Sequence, residues 1–85
     1  MKFSVRWKET ATNELAVLWT DADSVGRREL TAAAHEIDRT LQLNPIAVGE
    51  SRAEGRRIAF FGPLAVTFIV EPHDVVVRVL RIRRC

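Results

Sequence analysis

The chain has 85 residues, 47% of them apolar and 28% charged, with a formal net charge of +2. That length holds one domain, residues 1–85, around one small core, and the apolar share excludes an intrinsically disordered chain. The single cysteine, Cys85, excludes an internal disulfide, and no apolar run approaches the roughly 20 residues that a membrane-spanning helix needs. Met1-Lys2-Phe3-Ser4-Val5-Arg6-Trp7 carries charge where a signal peptide needs an apolar stretch, so the chain reads as soluble and cytoplasmic. Charge divides unevenly. Residues 1–50 hold 6 basic and 8 acidic side chains, whereas residues 51–85 hold 7 basic and 3 acidic ones. A basic second half points to an anionic partner, either nucleic acid or an acidic peptide.

Phe3, Val5 and Trp7 alternate with Lys2, Ser4, Arg6 and Lys8, the period of a strand with one buried face. From Thr10 the period becomes helical. Ala11, Leu15, Leu18 and Trp19 share a side, Thr10 stands as the cap, and Thr20-Asp21-Ala22-Asp23-Ser24 ends the helix. A longer helix follows, capped by Asp23 or Ser24, with an apolar stripe of Leu30, Ala33, Ala34, Ile37 and Leu41. Leu43-Asn44-Pro45 stops it, since proline disfavours the α region for the residue before it.

Residues 47–55 read as a polar connection, and three strands come next. The first is Arg57 to Phe61, closed by Gly62-Pro63. The second is Leu64 to Val70, and the third, after the turn Glu71-Pro72-His73-Asp74, is Val75 to Arg83. The order β-α-α-β-β-β predicts an α+β domain: an antiparallel sheet with a two-helix hairpin packed on one face.

Side-chain parity raises a problem in the last strand. Val75, Val77 and Val79 share a face with Arg81 and Arg83, while Leu80 and Ile82 share the other with Arg78 and Arg84. Either a bulge or strong twist switches faces near Val79-Leu80, or the strand is buried on both faces early and exposed late. Both alternatives put Arg81 and Arg83 on one side of the sheet. Phe60 and Phe61 are adjacent, so one belongs to the core and the other to the exposed sheet face beside the arginines. Trp7 and Trp19 each sit on an apolar stripe and read as core.

Arginine keeps its charge in proteins, and several on one strand repel one another unless an anion answers them. Arg52, Arg56, Arg57, Arg81, Arg83 and Arg84 are therefore the candidates for binding an anionic partner. Arg57, Arg81 and Arg83, with Glu50 and His73 as the only nearby acid–base groups, are the residues a catalytic site could draw on. His73 reads more simply as part of its turn, and Glu50 as the ion-pair partner of Arg52. His35 and Asp38 share a helix side without a third ligand, and none of the four glycines opens a phosphate loop. No metal, cofactor or small-molecule substrate is expected.

The element order, with Leu43-Asn44-Pro45, Gly49, Arg57-Ile58-Ala59-Phe60-Phe61-Gly62 and the hairpin of Leu64–Val70 and Val75–Ile82, resembles the RelE/ParE superfamily. These are small bacterial toxins of type II toxin–antitoxin pairs, and the resemblance implies a cognate antitoxin as partner. RelE-type members cleave messenger RNA on the ribosome; ParE-type members poison DNA gyrase without catalytic residues of their own. Here Ala65 stands where the RelE type keeps an arginine, Arg83-Arg84 stands where a histidine–arginine pair often lies, and the chain has no tyrosine. The resemblance thus implies a growth-inhibiting toxin of ParE type, with a RelE-type ribonuclease or a non-toxic binding module of the same fold as alternatives.

Overall fold

The computed structural model describes residues 2–85. Strand β1 (Ser4–Trp7) leads into helix α1 (Glu9–Asp21), helix α2 (Ser24–Leu43), a short strand β2 (Glu50–Ser51), and strands β3 (Arg56–Phe61), β4 (Leu64–Glu71) and β5 (Val76–Arg84). The five strands form one sheet in the order β1-β5-β4-β3-β2. The hairpins β3–β4 and β4–β5 and the pair β2–β3 are antiparallel.

Several expectations need correction. The sheet is mixed and not purely antiparallel, because β1 lies parallel to β5, with Ser4 opposite Val76 and Trp7 opposite Val79. Parallel neighbours need a crossover, and the two helices supply it. The polar connection also contains β2, whose two residues pair with Ile58 and Arg57. Finally, Thr10 does not cap α1. That helix starts two residues earlier, at Glu9 after Lys8, whose backbone N–H donates to the Val79 carbonyl at 2.9 Å.

α2 begins as its sequence suggests. The Asp23 carboxylate accepts from the Gly26 N–H at 2.8 Å, a cap worth about 1 kcal/mol. Leu30, Ala33, Ile37 and Leu41 of α2 are buried against Ala59, Phe61, Leu64, Val66, Phe68, Val77, Val79 and Ile82 of the sheet. α1 contributes one fully buried residue, Ala11, with Leu15 and Leu18 packed at the margin of the core.

Trp7 is half-buried, and its indole N–H donates to Asp38 Oδ1 at 2.8 Å, tying β1 to α2. Trp19 does not belong to the core. It lies on the surface, and Arg27 covers its ring at 4.3 Å while donating to the Trp19 and Thr20 carbonyls.

Two backbone features set the strand geometry. Gly49 has φ +78°, and a Cβ there would collide with the Ile58 carbonyl, so glycine lets the β2 segment lie against β3. Val75 also has a positive φ, of 55°, which a β-branched residue adopts only at a cost. It completes the turn before β5 and was expected to be the strand's first residue. Its carbonyl accepts from the Ser4 N–H at 2.9 Å, which starts the β1–β5 pairing.

Candidate functional site

The helices cover one face of the sheet and leave the other open. Thr67 pairs with Arg81 but Phe68 pairs with Val79, so Leu80 is an extra residue, and the bulge resolves the parity of β5. Before it, Val77 and Val79 face the helices; after it, Ile82 does. The bulge keeps all three apolar side chains in the core and turns Arg78, Arg81 and Arg83 to the open face.

Pairing partners share a face in a sheet, so the register gives the layout of that open surface. One row holds Phe60, Ala65 and Arg83; the next holds Glu50, Ile58, Thr67 and Arg81; a third holds Arg56, Ile69, Arg78 and Arg6. Phe60 is 67% exposed although its neighbour Phe61 is buried, as the adjacency of the two rings predicts. The surface is thus apolar at its centre, with arginines on both flanks. Ala65 separates Phe60 from Arg83 by two strand spacings, about 10 Å.

The six candidate arginines do not form one cluster. Arg56, Arg81 and Arg83 belong to the open face. Arg57 points to the helix side and is consumed locally, donating to the Val48 and Gly49 carbonyls and to Ser51 Oγ. Arg52 pairs with Glu50 at 3.1 Å, so Glu50 takes the ion-pair role expected of it. Arg84 pairs in register with the buried Leu64 and borders α1. His73 is exposed in the turn before β5, at the end of the sheet opposite Arg83. Seven residues of strand separate Val76 from Arg83, about 23 Å.

One important residue escaped the sequence reading. Glu14 of α1 accepts from Arg81 Nε at 2.9 Å, from Arg81 Nη2 at 2.7 Å and from the Ile82 backbone N–H at 2.9 Å. The Arg81 fork holds the Glu14 carboxyl below its ordinary pKa, helped by the Ile82 N–H and by the charge of Arg83, although partial burial opposes the shift. The same contact raises the pKa of Arg81. No local pattern announces a pair 67 residues apart. The one available signal was Glu14 beside the α1 apolar stripe, with four unanswered arginines at the chain's end.

These groups bind better than they transfer protons. Cleaving RNA through its 2′-hydroxyl needs an acceptor and a donor near the phosphate. On the open face, Glu50 is paired with Arg52 and Glu71 with Arg78 at 3.0 Å. Glu14 has a lowered pKa, which makes it a weaker base still.

No family model and no curated protein matches this sequence. Solved structures do. The structure superposes with a TM-score of 0.81 on a chain of the RelBE2 toxin–antitoxin complex from Mycobacterium tuberculosis, at 23% identity, covering 100% of this chain and 93% of that one. A chain of the chromosomal ParDE system of P. aeruginosa matches with a TM-score of 0.79 at 18% identity, covering 98% and 96%. A chain of the intact E. coli RelBE complex matches with 0.58 at 16% identity, over the same shares. At such identities the likeness speaks for architecture. The chain has the RelE/ParE toxin fold.

Proposed function

We propose that this chain is the toxin of a bacterial type II toxin–antitoxin pair and that it inhibits its target, DNA gyrase or another essential assembly, by binding. The observation that carries this reading is the open sheet face, where an exposed Phe60 and apolar neighbours lie between arginines. Aromatic and arginine side chains dominate the energetics of protein interfaces. An exposed aromatic with apolar neighbours, rimmed by cations, fits a partner's footprint. Matches to chains of RelBE and ParDE complexes support an antitoxin as physiological partner, one that masks the toxin until it is degraded.

A ribonuclease of RelE type is the second reading. What favours it is the Phe60–Ala65–Arg83 row, which has the ring and the cation that a single-stranded nucleic acid uses. What disfavours it is that Glu14, Glu50 and Glu71 are already paired and that His73 lies at the other end. A non-toxic module of the same fold is the third.

Induced expression in bacteria separates the three, with and without the product of the adjacent reading frame, reading plasmid supercoiling and messenger RNA from the same cells. Growth arrest with RNA intact, relieved by the neighbour and by Phe60→Ala, is the expected result. Site-mapped cuts in RNA would establish the ribonuclease. Unimpaired growth without the neighbour would overturn the toxin reading.

A further inference from the structure

A hollow of about 340 Å³ lies between the turn that follows α2 and the ends of β3 and β4. It sits at the end of the sheet away from Arg83, because Val70 pairs with Val77 whereas Arg83 pairs with Ala65. Its aliphatic lining is Ile46, Val70 and Pro72, and its cationic lining is Arg52, Arg56 and Arg57. Ile46 is 59% exposed although the adjacent Pro45 is fully buried. The turn after α2 thus gives one aliphatic side chain to the hollow and not to the core.

Arg57 makes this place more than a gap between elements. Its half-buried guanidinium donates from Nε to the Val48 carbonyl and from Nη2 to the Gly49 carbonyl, both at 3.2 Å. Nη1 donates to Ser51 Oγ at 2.9 Å. A guanidinium has five N–H groups, so these three bonds leave two. All three acceptors are neutral. The bonds fix the cation without answering its charge, which spares an arriving anion the entropy of ordering a long side chain. Arg56 has no ion-pair partner among the described residues. Arg52 pairs with Glu50 at 3.1 Å, but the Glu50 side chain is 78% exposed, and so solvated a pair is weak. No carboxylate lines the hollow among the described residues.

We infer that this hollow binds the carboxyl terminus of a partner protein whose last residue is aliphatic. Such a terminus carries its anion and its apolar side chain on one residue, so both linings are filled together. The planar carboxylate would take the two remaining Arg57 N–H groups, with Arg56 adding charge. The side chain would displace water from Ile46, Val70 and Pro72. No aromatic ring lines the hollow among the described residues, so a nucleotide has nothing for its base to stack on. This occupant follows from the hollow alone and does not depend on what the chain inhibits.

The test titrates the isotopically labelled chain with N-acetyl-glycyl-leucine and, as control, with the same dipeptide amidated at its C-terminus, following backbone amide shifts. The expected result is saturable shifts at Ile46, Ser51, Arg57 and Val70, with the amide about tenfold weaker or more. Ile46→Asp changes an exposed residue and should weaken binding about tenfold with the melting curve retained. Arg57→Lys keeps the charge but loses the fixed fork, and should weaken binding by a similar factor. If that variant fails to fold, Ile46→Asp and the amide control still decide. Phe60→Ala should leave the affinity unchanged.

Four outcomes would overturn the inference: no saturable shift with the free acid, equal affinity for acid and amide, tighter binding of inorganic phosphate or adenosine monophosphate than of the dipeptide, or shifts confined to Val17 and Ile82. Growth assays bear on the proposed function and not on these titrations, so the two readings fail separately.

Discussion

β4 shows two fates for the same kind of residue. Leu64, Val66 and Phe68 are buried under α2, while Ala65, Thr67 and Ile69 on its other side lie half-buried on a face that nothing covers. Both sides of the strand are largely apolar, so hydrophobicity alone does not say which is core. What distinguishes them is the neighbour in the next row. The covered side meets the aliphatic stripe of α2; the open side meets Phe60 and arginines. An apolar surface bounded by cations is the pattern that contact with another molecule would use.

The contrast predicts opposite consequences for two similar substitutions. Phe68→Ala empties a fully buried site and should cost about 3–5 kcal/mol, enough to unfold much of a domain this small in a urea titration. Phe60→Ala should change stability by less than about 0.5 kcal/mol and remove growth inhibition. A large loss of stability from Phe60→Ala would mean that the open face is structural after all.

Gly49→Ala comes next in size. It forces a side chain onto the Ile58 carbonyl at a positive φ, and we expect a loss of about 2–3 kcal/mol by thermal melting. Val75→Asn goes the other way. Asparagine tolerates the left-handed region that valine resists, so stability should rise by about 1 kcal/mol with the β1–β5 pairing kept.

The mildest effect concerns pH. Folding lowers the pKa of Glu14, so its contribution is complete above the ordinary glutamate value and is lost as pH falls through the lower folded value. Glu14→Gln should therefore remove part of the acid-side slope of stability and leave the slope above neutrality alone, as denaturant midpoints across pH would show. An unchanged acid limb would mean that the Arg81 pair is too solvated to matter.

The legibility of the chain follows the range of the forces involved. The two-helix hairpin, the three long strands and the end of α2 at Pro45 were readable because periodicity, caps and breakers act within a few residues. The contrast between Phe60 and Phe61 was readable for the same reason. Trp19 misled because an apolar stripe identifies a helix side without saying what faces it. Here an arginine of α2 covers the ring and the core does not. The candidate arginines were legible as charges but not as a site, since Arg57 spends its donors on the loop and Arg81 on Glu14.

By itself, then, the sequence determined the elements, the single domain and the positive charge of its last strand, all local properties of side-chain spacing. Tertiary structure alone decided that β1 lies parallel to β5 and that Leu80 is the bulge. It also decided that Arg81 is answered from within while Arg83 and Arg84 have no ion-pair partner among the described residues. Each of these depends on strand order and register, which bring together residues far apart in the chain and which no local pattern encodes.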